Sequence, residues 1–426
     1  LVAAATVATA APMSKGKASP RDFPLARRTD RSTLYGDDLA AWANAHRAHL
    51  RNKYKSKLKS STSKQQAAKR DAEKRDTAGA ATLVNYQHDS TFYAAVAIGT
   101  PSQSVNLVLD TGSSDIWLGP SKFDSSSSST FTNSSTPFEI QYGSGSVQGT
   151  LATDTFTLAG HTVDKQTFAV ATAATPGLLD DTVGGIMGLG FEALSTSQST
   201  PFWQGAALDT NEFAFYLAAV ESLQQLPGSG SETYGGIFTL GGTNTSLYQG
   251  DINWSDVIDD AYWLITLGGI TVGGNTIDLE STSKTAVDTG TTLIGCPTAV
   301  AEAIYAGIPG SSAISSMDGY YQFPCDTSVN ATMHFGNQQY TFTSYDFVGQ
   351  ALDSAGENCM GVFFSLGSDA NDELQYILGD AFLKQVYTIF SNTASTAQVG
   401  FASLADGLSS HTTSTTVDQV QTASTS

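Results

Sequence analysis

Two segments of this chain, 178 residues apart, have nearly the same sequence: Asp-Thr-Gly-Ser-Ser at residues 110–114 and Asp-Thr-Gly-Thr-Thr at residues 288–292. Each follows an apolar run typical of a β-strand, so each Asp is expected where a buried strand turns, and glycine permits that turn. Composition predicts such a five-residue segment roughly 0.02 times per chain by chance. Its repetition therefore predicts a duplicated lobe, since the interval is too long for a solenoid repeat.

The rest of the chain has the pattern of a mainly β protein. From residue 82 on, runs of β-branched and aromatic residues alternate with turns rich in Gly, Ser and Asn, and helical patterns are few and short. A single core rarely grows beyond about 250 to 300 residues, so a chain of 426 residues allows two lobes. We expect these lobes to meet near the Gly- and Asn-rich residues 241–256.

The sign of the net charge along the chain changes near residue 75. Residues 1–75 contain 17 of the 21 Lys and Arg, whereas residues 76–426 contain 4 Lys and no Arg beside 34 of the 40 Asp and Glu. When these carboxylates protonate, few positive charges remain to repel one another, which suits acidic surroundings, although solubility alone is an alternative reason for the acidity. Nucleic acid and anionic membranes are not expected partners of the acidic part. No stretch approaches the roughly 20 apolar residues of a membrane helix.

The two chain ends, the cysteines and the sequons indicate in which cellular compartment the protein works. Residues 1–11 are small and apolar, like the end of a secretory signal, and residues 406–426 are predicted to be a disordered Ser- and Thr-rich tail. Three Cys residues allow at most one intrachain disulfide, with three possible pairings. Four sequons fit a secreted, extracellular glycoprotein: Asn133, Asn244, Asn253 and Asn330.

Together, the repeated segments and their surroundings resemble the pepsin family of aspartic endopeptidases. Residues 93–101 are similar to its entry strand and turn, residues 141–146 to its flap hairpin, and residues 186–188 and 377–380 to the apolar-apolar-Gly segments that accompany each Asp. The resemblance covers roughly residues 85–403. It implies a mainly β, bilobal fold with two pseudo-twofold-related lobes, expected at residues 76–254 and 255–405, and an active-site cleft between them.

The resemblance also implies the chemistry. Asp110 and Asp288 would share one proton, because two carboxylates about 3 Å apart repel each other when both are ionised; aspartic proteases are the standard example of this effect. Which Asp holds the proton stays open. The supporting residues would link the two loops and orient the carboxylates: Thr111, Gly112, Ser113, Thr289, Gly290 and Thr291. The family places a second-lobe disulfide where Cys325 and Cys359 stand.

Substrate contacts are expected on the flap and in the second lobe. By resemblance, Tyr142 closes over the substrate with its hydroxyl held by the indole of Trp117, Gly143 and Ser144 offer backbone hydrogen bonds, and Tyr262 lines the cleft. Family members that cleave after Lys have an Asp at the position of Ser144. We therefore expect a preference for large apolar residues around the scissile bond, with Lys before it disfavoured.

The basic segment 12–75 is interpreted as a propeptide that acts as an intramolecular inhibitor. Its residues 39–58 are compatible with a helix, residues 52–54 resemble the segment that sends a Lys to the catalytic pair in family zymogens, and the dibasic Lys74-Arg75 resembles a processing site. The predicted protein is a monomeric zymogen without metal or cofactor. It would act on proteins and peptides and bind statine-type peptide inhibitors.

Two other functions fit parts of the sequence. A glycosidase also uses two carboxylates, but its chemistry does not require two Asp-Thr-Gly turns. A binding or inhibitor protein on the same fold is the stronger alternative, although both Asp-Thr-Gly segments and Tyr142 are intact. Neither His-Glu-x-x-His nor Gly-x-Ser-x-Gly occurs, so the sequence favours neither a metal nor a serine hydrolase.

Overall fold

The computed structural model describes residues 34–55, 78–87, 89–142, 145–175, 182–220, 232–259, 261–279, 283–367, 374–393, 395–408 and 411–412. Strands of the first half are β1 (Gly79–Tyr86), β2 (Thr91–Ile98), β3 (Gln103–Asp110), β4 (Ile116–Leu118), β5 (Thr132–Tyr142), β6 (Gly145–Leu158), β7 (His161–Ala174), β8 (Gly185–Gly188), β9 (Glu212–Leu217), β10 (Ala219–Val220), β11 (Glu232–Leu240) and β12 (Tyr248–Asp256).

Strands of the second half are β13 (Leu264–Thr266), β14 (Gly269–Val272), β15 (Asn275–Ile277), β16 (Lys284–Val287), β17 (Ile294–Cys296), β18 (Ser312–Ala313), β19 (Tyr321–Pro324), β20 (Ala331–Phe335), β21 (Gln338–Phe342), β22 (Val348–Ala351), β23 (Asn358–Gly361), β24 (Phe363–Ser365), β25 (Tyr376–Leu378), β26 (Val386–Ser391), β27 (Gln398–Leu404) and β28 (His411–Thr412). Helices are α1 (Gly36–Lys55), α2 (Phe202–Gly205), α3 (Thr298–Ala306) and α4 (Asp380–Leu383), with 3₁₀ turns at Ser125–Ser127 and Glu192–Leu194.

The largest sheet joins the two halves of the chain. Its 13 strands follow the order β12-β27-β26-β9-β11-β1-β2-β3-β8-β4-β7-β6-β5. Strands β26 and β27, near the end of the chain, pair with β9 and β12 of the first half. Strand β12 begins at Tyr248, inside the region where the sequence predicts the lobes to meet, and its pairing with β27 has an irregularity between Gln249 and Asn253. The mainly β, two-lobed prediction is confirmed, and the lobes share a sheet to which both halves contribute.

Both Asp-containing segments lie in the same local arrangement. Strand β3 ends at Asp110 and runs parallel to β8, whose other side pairs antiparallel with β4. Strand β16 ends one residue before Asp288 and runs parallel to β25, which pairs antiparallel with β17. Buried apolar residues on both faces of these short strands fit the centre of a sheet. The two halves therefore present their Asp loops on matching three-strand units.

Two features stabilise the second half and its contact with the first. Cys325, directly after β19, forms a disulfide with Cys359 of the neighbouring strand β23, and Cys296 is a free, buried thiol in β17. Between the halves, the ring of Trp263 lies 4.4 Å from that of Phe191 and packs in the aromatic core. Apolar burial of this kind is the main stabilising contribution in a fold of this size.

The helix α1 is the long helix of the described chain, close to the predicted residues 39–58. Asp37 and Asp38 lie in its first turn, where negative charge is favourable. Its buried apolar residues lie on one broad helical face: Leu39, Ala40, Trp42, Ala43, Leu50 and Tyr54. No helix in the described residues is both long and apolar enough to cross a membrane.

The chain end differs in part from its predicted disorder. His411–Thr412 forms strand β28, which pairs in parallel with β10. Residues 413–426 lie outside the described part of the chain, as do residues 1–33 and the proposed processing site Lys74-Arg75.

Candidate active site

The two Asp side chains of the repeated segments meet in one buried site. Asp110 is 3% exposed and Asp288 is fully buried. The ammonium nitrogen Nζ of Lys53 lies 3.0 Å from Oδ1 of Asp110 and 2.8 Å from Oδ2 of Asp288. One cation therefore contacts both carboxylates.

Each Asp accepts a backbone hydrogen bond from the glycine two residues later. The amide of Gly112 donates to Oδ1 of Asp110 and that of Gly290 to Oδ1 of Asp288, both at 2.9 Å. A Cβ atom at Gly112 would lie 2.6 Å from Cγ of Asp288, and one at Gly290 would lie 2.3 Å from Oδ1 of Asp110. Glycine is therefore required because the opposite carboxylate approaches the backbone so closely.

A hydroxyl group donates to the other oxygen of each carboxylate. Ser113 Oγ donates to Oδ2 of Asp110 and Thr291 Oγ1 to Oδ2 of Asp288, both at 2.6 Å. These are the donors that the sequence resemblance implies. Hydrogen bonds to an ionised carboxylate favour its charged form and fix its orientation.

Two threonines link the loops reciprocally. Thr111 Oγ1 donates to the carbonyl of Val287 at 2.8 Å, and Thr289 Oγ1 donates to the carbonyl of Leu109 at 2.6 Å. Each hydroxyl also accepts from the backbone amide of the other threonine, at 3.0 and 3.1 Å. Four hydrogen bonds therefore hold the two Asp loops in one relative position.

Helix α1 ends in this site. Tyr54 donates its hydroxyl to Oδ2 of Asp288 at 2.8 Å, and its ring lies 4.9 Å from that of Tyr262. The Tyr262 hydroxyl donates to the carbonyl of Lys53 at 3.4 Å. Lys53 thus contacts both carboxylates and Tyr54 contacts that of Asp288, while Tyr262 contacts the backbone of the helix.

The charges of the site shift its pKa values in opposite directions. Burial raises the pKa of Asp110; Lys53 lowers it and Asp288 raises it, so that its pKa lies above the ordinary value. Burial also acts to raise the pKa of Asp288, but Lys53 and the hydrogen bonds to this carboxylate outweigh burial and hold its pKa well below the ordinary value. Burial acts to lower the pKa of Lys53, and the two carboxylates raise it above the ordinary value. Lys53 therefore stays charged between the two carboxyl groups.

The flap is described only in part. Tyr142 ends strand β5, where its backbone pairs with Gly145. The Tyr142 side chain, Gly143 and Ser144 lie outside the described residues, so their predicted substrate contacts remain predictions. Trp117 is buried in β4 and pairs with Ile186 of β8.

The four sequons have different surroundings. Asn133 and Asn330 are exposed, whereas Asn244 and Asn253 are half-buried. The side-chain nitrogen of Asn253, to which a glycan would be attached, donates to the carbonyl of Phe335 at 2.7 Å. Asn133 and Asn330 are therefore the more accessible positions.

Sequence patterns missed two tryptophans that support the first Asp loop. The indole of Trp263 donates to the carbonyl of Leu189, and that of Trp203 to the carbonyl of Gly190, both at 3.0 Å. Leu189 in turn donates its amide to the carbonyl of Asp110 at 2.8 Å. The one available signal was the position of Trp263 next to the singled-out Tyr262.

The arrangement suits proton transfer between two carboxyl groups. In the absence of a neighbouring cation, burial and mutual repulsion would favour one shared proton, a state in which one carboxyl group can act as an acid and the other as a base. Among the described residues, no three His, Cys, Asp or Glu side chains are grouped to hold a metal ion.

Comparisons with known proteins agree with one another. The family described as eukaryotic aspartyl protease matches residues 91–404, which include both repeated segments. Major aspartyl peptidase 1 of Cryptococcus neoformans var. grubii is 35% identical, over 95% of this chain and 88% of that protein. The vacuolar aspartic protease of Candida albicans is 34% identical, over 73% of this chain and 74% of that protein. Cathepsin D of Gallus gallus is 32% identical, over 75% and 82% respectively.

Proposed function

Because this chain belongs to the eukaryotic aspartyl protease family and is an aspartic-type endopeptidase, we propose that Asp110 and Asp288 are its catalytic pair. The observation that carries this proposal is the meeting of both carboxylates in one buried site, each with a matching amide and hydroxyl donor. Its substrates are proteins and peptides.

The proposed mechanism uses the shared proton. The ionised carboxylate takes a proton from a water molecule that attacks the peptide carbonyl, while the protonated carboxyl group donates its proton to the carbonyl oxygen. The resulting tetrahedral intermediate breaks its C–N bond as a proton passes to the leaving amine. No covalent intermediate or cofactor is needed. Thr111 and Thr289 act as positioning residues, because they hold the two loops at a fixed separation.

Residues 12–75 are proposed to be the propeptide, with α1 as its inhibitory part. Lys53 and Tyr54 occupy the carboxylates that the attacking water would contact. The Lys53 ammonium also favours ionisation of both carboxyl groups, which removes the acid that the reaction needs. Protonation of the carboxylates weakens these ion pairs, so acidification releases the helix and a cut near Lys74-Arg75 makes the release permanent.

The proposed substrate preference is for large apolar residues on both sides of the scissile bond. It rests on Ser144 of the flap, which provides a hydroxyl and no charge for a Lys side chain before the bond. Tyr142 would close over the substrate, and Tyr262 would line the cleft that α1 vacates. Lys before the bond is expected to be disfavoured roughly 10-fold or more.

Digestion of denatured haemoglobin or casein by the processed protein tests this function. We expect cleavage at pH 3 and none at pH 7, inhibition by a statine-containing peptide, and cut sites flanked by Leu and Phe in mass spectra. Lys before the cut as often as Leu or Phe would contradict the preference. Statine binding without any cleavage would instead identify a binding protein that has lost catalysis.

We also propose that the enzyme is secreted. Support comes from the signal-like residues 1–11, the exposed sequons and the Cys325–Cys359 disulfide, which is typical of oxidising compartments. Expression in a eukaryotic host, followed by immunodetection in medium and vacuolar fractions, tests this placement. Recovery of the processed protein from the vacuole alone would contradict it.

A further inference from the structure

Away from the two carboxylates, α1 inserts Arg47 into a notch of the second half. Nε of Arg47 donates to the carbonyl of Ser365 at 2.6 Å, and Nη1 forms an ion pair with Oδ2 of Asp318. The Arg47 side chain is 12% exposed, whereas that of Asp318 is 81% exposed. The notch therefore covers the guanidinium group of Arg47, and the carboxylate of Asp318 lies at the exposed edge of the notch.

Two glycines shape the notch. A Cβ atom at Gly319 would lie 2.8 Å from Nε of Arg47, and one at Gly367 would lie 3.1 Å from Nη2. Both glycines have positive φ values, 84° and 98°, which other residues rarely adopt. The backbone amide of Ser365 donates to the carbonyl of Gly319 at 2.8 Å, which connects the segment around Gly319 to the segment that contains Ser365 and Gly367. All the residues that contact the Arg47 guanidinium group here therefore belong to the second half.

The notch and the two carboxylates are contacted from positions six residues apart on α1. Arg47 precedes Lys53 by six residues on the same helix, and a rise of 1.5 Å per residue places their Cα atoms about 9 Å apart along the axis. An extended peptide covers this length in about three residues, at about 3.3 Å each. A side chain three residues from the scissile bond is therefore at a suitable distance.

We propose that, after α1 has left, the notch binds the guanidinium group of an Arg side chain about three residues from the scissile bond of a substrate. This inference rests on the proposed protease function and adds a subsite to it. Arg fits better than Lys, because the carbonyl and the carboxylate contact two different nitrogens of a planar group, whereas Lys offers a single nitrogen. Because Asp318 is exposed, the expected gain in kcat/KM is only about two- to fivefold.

Matched peptides test the subsite on the processed enzyme at pH 4.5. Each peptide has one Leu-Phe bond and carries Arg, Lys or the neutral isostere citrulline three residues before or after it. We expect the Arg peptide to exceed its citrulline partner about two- to fivefold in kcat/KM on one side of the bond, mainly through a lower KM. The Lys peptide should fall between them.

The variant Asp318→Asn should remove the Arg advantage and leave cleavage of the citrulline peptides unchanged, which also shows that the variant is folded. The matched control is Asp251→Asn, which removes an exposed carboxylate from β12 and should keep the advantage. Equal kcat/KM for Arg and citrulline peptides on both sides would overturn the subsite, as would an undiminished advantage in Asp318→Asn. Cleavage of the citrulline peptides in these cases leaves the protease function standing, whereas failure to cleave any peptide overturns both.

Discussion

Thr111 and Thr289 each use one hydroxyl group both as a donor and as an acceptor. The hydroxyl of Thr289 donates to the carbonyl of Leu109 and accepts from the amide of Thr111, and all of these groups are buried. Water cannot replace a lost partner there without entering the contact between the loops, so the cost of a missing hydroxyl is high.

Replacement of this hydroxyl should affect stability and catalysis together. In Thr289→Ala, two buried polar groups lose their partner, so the free energy of unfolding should fall by about 1 to 3 kcal/mol. Misplaced carboxylates should also lower kcat roughly 10-fold or more. Urea unfolding and steady-state kinetics of the processed protein measure both effects. Thr289→Ser keeps the oxygen and is the control; an Ala variant that equals it in both measurements would contradict this role.

Helix α1 is the element that controls the protonation of the pair. Its Lys53 ammonium lowers the pKa of both carboxyl groups, and Tyr54 adds a hydrogen bond to Asp288. The form with one shared proton, which the proposed mechanism needs, therefore appears at a lower pH while the helix is bound. Burial and mutual repulsion act in the opposite direction once Lys53 is removed.

Without the Lys53 ammonium, the intact Lys53→Gln chain should begin to cleave casein at a higher pH than the intact unmodified chain. The expected shift of the pH threshold is about one unit or more, since a close opposite charge changes a carboxyl pKa by roughly 1 to 3 units. Intact chains incubated with casein over a pH series, with the casein fragments separated by electrophoresis, give this threshold. Lys165→Gln, an exposed change on β7, should leave it unchanged. An identical threshold in Lys53→Gln and the unmodified chain would exclude Lys53 from the control of activation.

The disulfide between Cys325 and Cys359 closes a loop with a sequence separation of 34 residues. In the chain-entropy description, the double variant Cys325→Ala/Cys359→Ala should lose about 3 to 4 kcal/mol of unfolding free energy. Urea unfolding of the processed protein measures the loss. Cys296→Ala, which removes only the packing of a buried sulfur atom, should lose clearly less. Equal losses of unfolding free energy in the two variants would show that the disulfide stabilises the fold no more than the packing of a buried sulfur atom does.

For the whole molecule, the charge distribution and the catalytic pair favour the same conditions. Residues 76–426 contain only 4 Lys and no Arg, so protonation of the carboxylates leaves little positive charge to repel itself. We expect the processed enzyme to have its optimum below about pH 5 and no activity near neutrality, because both carboxyl groups are then ionised and no acid remains. A pH profile of kcat/KM measures this; an optimum at pH 7 or above would contradict the shared proton.

Local patterns predicted much of the fold and of the candidate site, because strand alternation and the repeated Asp-Thr-Gly turns are written in short segments. Contacts between distant parts of the chain were not predictable in this way. Trp263 contacts Leu189 across 74 residues, and Arg47 contacts Ser365 across 318 residues. Nothing in the sequence around either partner specifies the other. For the same reason, the pairing of β26 with β9 of the first half could not be predicted, since it depends on the folded lobes.

The central claim is that Asp110 and Asp288 together carry out peptide hydrolysis. Its most direct test is casein cleavage at pH 3 by Asp110→Asn and Asp288→Asn, each cut after Arg75 by an added dibasic-specific protease and compared with Asp251→Asn. Each catalytic variant should keep its near-ultraviolet circular dichroism and lose roughly 100-fold or more of its activity, because each lacks half of the proton relay. Retention of a tenth of the unmodified activity by either variant would contradict the account.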